Sequence, residues 1–150
     1  ETAPRAVELA RTVGPDAIQL HGEWTPDEIG FVRAETEAKV LLTVDAGEPA
    51  RAESFDGVVD ALVVDSTDES GAGGTGETHD WTATGTLATR LTTPVVLAGG
   101  LTPENVAEAV QTAEPFAVDV SSGVELTPGH KDHNAVARFV ANAGREVAIV

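Results

Sequence analysis

Hydrophobic positions along the chain fall into short runs separated by longer amphipathic stretches. The runs are "AIQL" (residues 17–20), "VLLTV" (40–44), "ALVVD" (61–65), "VVLAGG" (95–100) and "AVDVSSG" (117–123). Each is too short for a helix and rich in β-branched residues, a pattern that predicts strands buried on both faces, as in parallel sheets. Between them the apolar spacing turns helical. "TPDEIGFVRAETEA" opens with Thr25 as N-cap and Pro26 at the first helical position, where its missing N–H is not needed. "TPENVAEAVQTA" repeats that start at Thr102 and Pro103, with Val106, Ala109 and Val110 on one face. "WTATGTLATRL" (81–91), "KDHNAVARFVANA" (131–143) and, more weakly, "GEPARAESFDG" (47–57) read as helices, and "TAPRAVELARTV" (2–13) as a helix already under way.

Strand and helix therefore alternate, which predicts an α/β architecture with right-handed crossovers. Five strands suit either a complete open sheet or the last five units of an eight-stranded barrel, which usually needs about 250 residues. The 150 residues make one domain the expectation. Methionine is absent even at position 1, which is read here as truncation upstream and favours the barrel: residues 1–150 as a partial domain whose first three strands are missing.

Charge narrows the partners. The net charge is -16, with 25 acidic residues against 9 basic ones, and such a field repels nucleic acid and anionic membranes. The acids are scattered over the helices and not gathered into a tail, as on a solvated surface kept soluble at high salt; a halophilic source would account for it. No apolar run approaches the roughly 18 residues of a membrane span, and the start lacks signal-peptide regions, so a soluble, cytoplasmic protein is expected. Absence of cysteine excludes disulfides, thiolate metal sites and cysteine nucleophiles within these residues. His130 and His133 with Asp132 between them are too few ligands to predict a metal.

Gly71, Gly73 and Gly76 have the spacing G-x-G-x-x-G, but a dinucleotide fingerprint needs its first glycine in the turn leaving the strand and an apolar helix after its last. Here "STDES" intervenes and "ETHDW" follows. The segment reads as a flexible loop after a strand ending in Asp, where active-site lids of α/β enzymes commonly sit, or as a plain surface connection; beside the resemblance given next, it is expected to be a mobile cover next to a sugar phosphate.

Four strings in order, "IQLHGE" (18–23), "VVDSTDESGAGGTGETHDW" (63–81), "LAGGLTPENV" (97–106) and "AVDVSSGVELTPGHKDH" (117–133), resemble phosphoribosylanthranilate isomerases of tryptophan biosynthesis over nearly the whole chain. The resemblance implies the C-terminal five βα units of a (β/α)8 TIM barrel, preceded by a helix. It implies an Amadori rearrangement of N-(5-phosphoribosyl)anthranilate to 1-(2-carboxyphenylamino)-1-deoxyribulose 5-phosphate, with no metal or redox cofactor and a phosphorylated aminosugar as the small-molecule partner. By resemblance the general acid falls on Asp65. A carboxyl at the C-terminal end of a parallel strand points into a barrel mouth, and to hold its proton it must be substantially desolvated. Gly99 and Gly100 after one strand, with Ser121, Ser122 and Gly123 after the next, suit a phosphate bed of backbone N–H groups. The resemblance gives Asp119 the sugar hydroxyls and His21 a place lining the substrate pocket. His79 departs from the aromatic residue expected before "DW" and receives no role. In the family the base is a cysteine on the first strand, and an arginine upstream of this segment helps hold the anthranilate carboxylate; neither can be located in this chain, so the isolated fragment is expected to be inactive. Other phosphate-handling barrels and a noncatalytic phosphate-binding scaffold are the competing readings. An epimerase would need metal ligands on several strands and an indole-glycerol-phosphate synthase a strand-end lysine, and the sequence shows neither.

Overall fold

The structure is a computed structural model that describes residues 2–65 and 80–144. Helices and strands alternate: α1 (Ala3–Val13), β1 (Ala17–Leu20), α2 (Pro26–Glu35), β2 (Lys39–Asp45), α3 (Pro49–Ser54), β3 (Ala61–Asp65), α4 (Trp81–Arg90), β4 (Val95–Leu97), α5 (Val106–Ala113), β5 (Ala117–Val118) and α6 (His133–Asn142). The strands pair in parallel in the order β1-β2-β3-β4-β5. A doubly wound sheet reverses its strand order at a switch point; this sheet does not, and its strictly sequential order is that of a barrel wall.

Local chemistry places the helix ends. Thr25 and Glu28 form a reciprocal capping box at α2, with the Glu28 N–H donating to Thr25 Oγ1 at 3.3 Å and the Thr25 N–H to Glu28 Oε2 at 2.9 Å. Asp80 accepts the first free N–H groups of α4, and Asp132 caps α6.

One sheet face is apolar and covered by helices. Val40, Leu42 and Val44 of β2, Leu62 and Val64 of β3 and Val95 of β4 pack with Ile29 and Val32 of α2 and Leu87 of α4. Leu97 continues this layer into a second cluster with Val106, Ala109, Val124 and Phe139. Each such leucine or valine contributes about 1.5–3 kcal/mol by leaving water.

Burial on both faces, expected for every strand, holds fully only along residues 61–64 of β3. In β2 the buried positions alternate with half-buried Leu41, Thr43 and Asp45, and β1 exposes Ala17 and Gln19. Helices cover only one face, so residues of the other parity meet solvent or each other: Gln19 Nε2 donates to Thr43 Oγ1 at 2.9 Å.

The fifth helix begins at Val106, not at Pro103. Residues 102–105 form a turn in which the Thr102 N–H is taken by Asn105 Oδ1 at 2.7 Å and the Glu104 N–H by Thr102 Oγ1 at 3.3 Å. Side chains that bond their own backbone compete with helix formation, and here they win. An unanticipated hairpin, β6 (Glu125–Thr127) with β7 (His130–Lys131), follows β5. Gly129 in its turn has φ +80°. Among the described residues no helix is long and apolar enough to cross a membrane.

Candidate active site

Parallel strands in sequential order bring all their C-terminal ends to one rim. At the ends of β3, β4 and β5 lies a pocket of about 260 Å³, lined by Asp65, by residues 98–101 and by residues 119–123. Asp65 closes β3 and is half-buried. Its carbonyl accepts the Ala46 N–H at 2.9 Å, and it stands in register with Asp45 of β2. The Asp45 side chain accepts the Gly47 N–H at 2.6 Å.

The opposite wall is main chain. Gly99 and Gly100 have φ of +84° and +62°, a left-handed region that side chains rarely adopt. Gly123 meets the Gly-Gly loop closely: a Cβ there would stand 1.8 Å from the Leu101 carbonyl oxygen. Among the described residues, the N–H groups of Gly99, Gly100, Leu101, Ser121, Ser122 and Gly123 donate no hydrogen bond within the protein. Together they form a concavity of unspent donors suited to an oxyanion. No lysine or arginine lines it among the described residues. All eight described lysines and arginines are engaged in ion pairs.

Asp119, just beyond β5, is exposed in this pocket, and its N–H donates to the Leu97 carbonyl at 2.9 Å. His21 is not in the pocket. It follows β1, two strands from β3, exposed to solvent, and its carbonyl accepts the Trp24 indole N–H at 3.1 Å. Arg51 holds the same loop, donating to the Gly22 carbonyl at 2.9 Å and to Glu23 at 2.8 Å. Gly71, Gly73, Gly76 and His79 lie outside the described residues. His130 and His133 are exposed, and no group of three or more potential metal ligands occurs among the described residues.

Two supporting residues escaped the sequence reading. Lys131 Nζ donates to the Ser121 carbonyl and to Glu125 Oε1, both at 2.8 Å. Its hydrogen bond, followed by the Gly129 N–H, holds the Glu125 carboxyl below its ordinary range, against a smaller opposing effect of desolvation. The one signal in the sequence is that Lys131 is one of only two lysines in the chain. Asn105 bonds the Gly-Gly loop, through Nδ2 to the Gly100 carbonyl at 3.0 Å.

The sequence model of N-(5'phosphoribosyl)anthranilate (PRA) isomerase matches residues 4–142. The chain belongs to the PRA isomerase family. An N-(5'-phosphoribosyl)anthranilate isomerase of Halorubrum lacusprofundi is 77% identical over 149 residues, covering 99% of this chain and 70% of that protein. The crystal structure of phosphoribosyl anthranilate isomerase from Thermotoga maritima superposes with a TM-score of 0.82 at 35% identity, over 95% of this chain and 68% of that one. A further PRA isomerase, crystallised with reduced 1-(o-carboxyphenylamino)-1-deoxyribulose 5-phosphate, has a TM-score of 0.78 at 32% identity, over 95% of this chain and 66% of that one. The chain thus spans about two thirds of the length of the PRA isomerases it matches.

Proposed function

We propose that this chain is the C-terminal five βα units of a (β/α)8 barrel that isomerises N-(5'-phosphoribosyl)anthranilate to 1-(2-carboxyphenylamino)-1-deoxyribulose 5-phosphate. The observation that carries the reading is that Asp65 shares a pocket with residues 99–101 and 121–123, whose amides donate no hydrogen bond among the described residues. A phosphate seated on the amides puts the ribose within reach of the carboxyl at the same rim.

In this reading Asp65 gives its proton to the furanose ring oxygen as the C1'–O bond breaks, leaving a Schiff base between C1' and the anthranilate nitrogen. A base then takes the C2' proton, the electron pair moves toward nitrogen, and the resulting enolamine tautomerises to the ketone. Asp119 holds sugar hydroxyls beside the phosphate. His21, two strands away, lines the part of the cleft that takes the rest of the substrate. The base is assigned outside these 150 residues, since the family pattern places it on a cysteine and the chain has none. Gly99, Gly100, Ser121, Ser122 and Gly123 bind phosphate by neutral donors, which need no lysine in the bed.

The test is consumption of fluorescent phosphoribosylanthranilate by the chain alone and by the chain mixed with the preceding βα units of the Halorubrum relative. Turnover is expected only in the mixture, and is lost with Asp65→Asn in a folded complex. Turnover by the chain alone would overturn the assignment of the base; undiminished turnover by Asp65→Asn would overturn that of the acid.

A further inference from the structure

The peptide between Gly100 and Leu101 is flanked by a glycine at φ +62°, which offers no side chain to oppose rotation of the peptide plane. One carboxamide restrains it. Asn105 Nδ2 donates to the Gly100 carbonyl at 3.0 Å, and Asn105 Oδ1 accepts the Thr102 N–H at 2.7 Å. Asn105 is outside the pocket lining, whereas Leu101 belongs to it. The peptide bonds are trans, so a Gly100 carbonyl turned toward Asn105 leaves the Leu101 N–H on the opposite side.

The turn carrying Asn105 is itself buttressed from α6. Asn142 Nδ2 donates to the Pro103 carbonyl at 2.6 Å, and Arg138 pairs with Glu104 at 2.7 Å. The carboxamide therefore acts from a fixed base.

We infer that Asn105 is a positioning residue for the phosphate bed: by holding the Gly100 carbonyl out of the pocket it keeps the Leu101 N–H directed into it. The inference rests on the phosphate reading above. Without the carboxamide the peptide can flip, and a carbonyl would then confront phosphate oxygens where an N–H should meet them, turning attraction into repulsion.

The test titrates the ¹⁵N-labelled chain with inorganic phosphate in 1 M KCl and follows individual amide resonances. In the wild type, phosphate should shift Gly99, Gly100 and Leu101 together with Ser122 and Gly123, and Gly100→Val should abolish all of these shifts. Asn105→Ala should bind about tenfold more weakly, losing the shifts at residues 99–101 and keeping those at Ser122 and Gly123. Asn105→Asp carries the test if the alanine variant does not fold. It retains the acceptor for the Thr102 N–H and loses the donor to Gly100, and its added charge is screened over about 3 Å at this salt. It should keep a near-native melting midpoint and show the same selective loss. Full affinity in the folded Asp variant, or weaker binding with every shift retained, overturns the inference and leaves the phosphate site standing. Absence of phosphate shifts in the wild-type chain overturns both.

Discussion

Gly123 and Leu101 stand so close that a single methyl group on Gly123 would fall 1.8 Å from the Leu101 carbonyl oxygen. Two loops leaving adjacent strands are thereby closed on each other, and residues of both line one pocket. Gly123→Ala must push them apart. Overpacking of this kind costs about 1–3 kcal/mol, and a chain of this size loses about 2–4 °C of melting midpoint per kcal/mol. A fall of several degrees with loss of inorganic phosphate binding is expected by calorimetry and titration. Retention of both would refute the close contact.

Lys131 and Glu125 brace the serine side of the same pocket. Lys131→Met should loosen the Ser121 carbonyl and raise amide hydrogen exchange about tenfold at Val124 and Asp132, whose N–H groups donate to the Ser121 and Val124 carbonyls, leaving exchange in β2 and β3 unchanged. The effect has a pH signature because Glu125 is held below its ordinary range, chiefly by Lys131. The brace is intact above the unfolded carboxyl's pKa and is lost as pH falls through the lower, folded one. Glu125→Gln should remove that acid-linked rise in exchange; an identical pH profile would count against the brace.

At the opposite end of the sheet, Asp60 ties β2 to β3. It accepts the Val40 N–H at 2.9 Å and faces Lys39 and Arg33. Burial opposes its ionisation, but these partners outweigh it and hold its pKa below the ordinary value. Asp60→Asn should cost about 1–2 kcal/mol near neutral pH. The deficit should persist above about pH 4, the unfolded value, and vanish as pH falls through the depressed folded value. Denaturant melts at pH 7 and pH 3 measure it; a deficit independent of pH would exclude the charge as its origin.

Salt should stabilise the chain. The net charge is -16, and every described lysine and arginine is already paired, so the remaining carboxylates repel one another. Raising KCl from 0.1 M to 1 M shortens the screening length from about 10 Å to about 3 Å. The melting midpoint should rise by several degrees; a fall would show that the ion pairs matter more than the repulsion.

Much of the scaffold was legible because its determinants are local. β1 and β3 fill the apolar runs at residues 17–20 and 61–65, where β-branched chains and flanking polar residues leave little choice. The last strands were read too long: β5 keeps only Ala117 and Val118, and the residues after it spend their length on the pocket wall. The start of α5 was misplaced because Thr102 and Pro103 look like a helix cap, while Asn105, three residues on, captures the backbone first. Meeting of Asp65 with the glycine loops could be anticipated from strand ends alone. For the Lys131 brace the sequence offers only the rarity of lysine, since the contact itself depends on a hairpin folding back over Pro128 and Gly129.

A wall of main-chain amides carries no titratable proton and no net charge. The donors it would offer an oxyanion are neutral, so acid cannot protonate them and base cannot silence them. On the reading proposed above, a chain with two lysines would meet an anion with main-chain donors alone, and Lys131 would serve only to keep them in place through the Ser121 carbonyl.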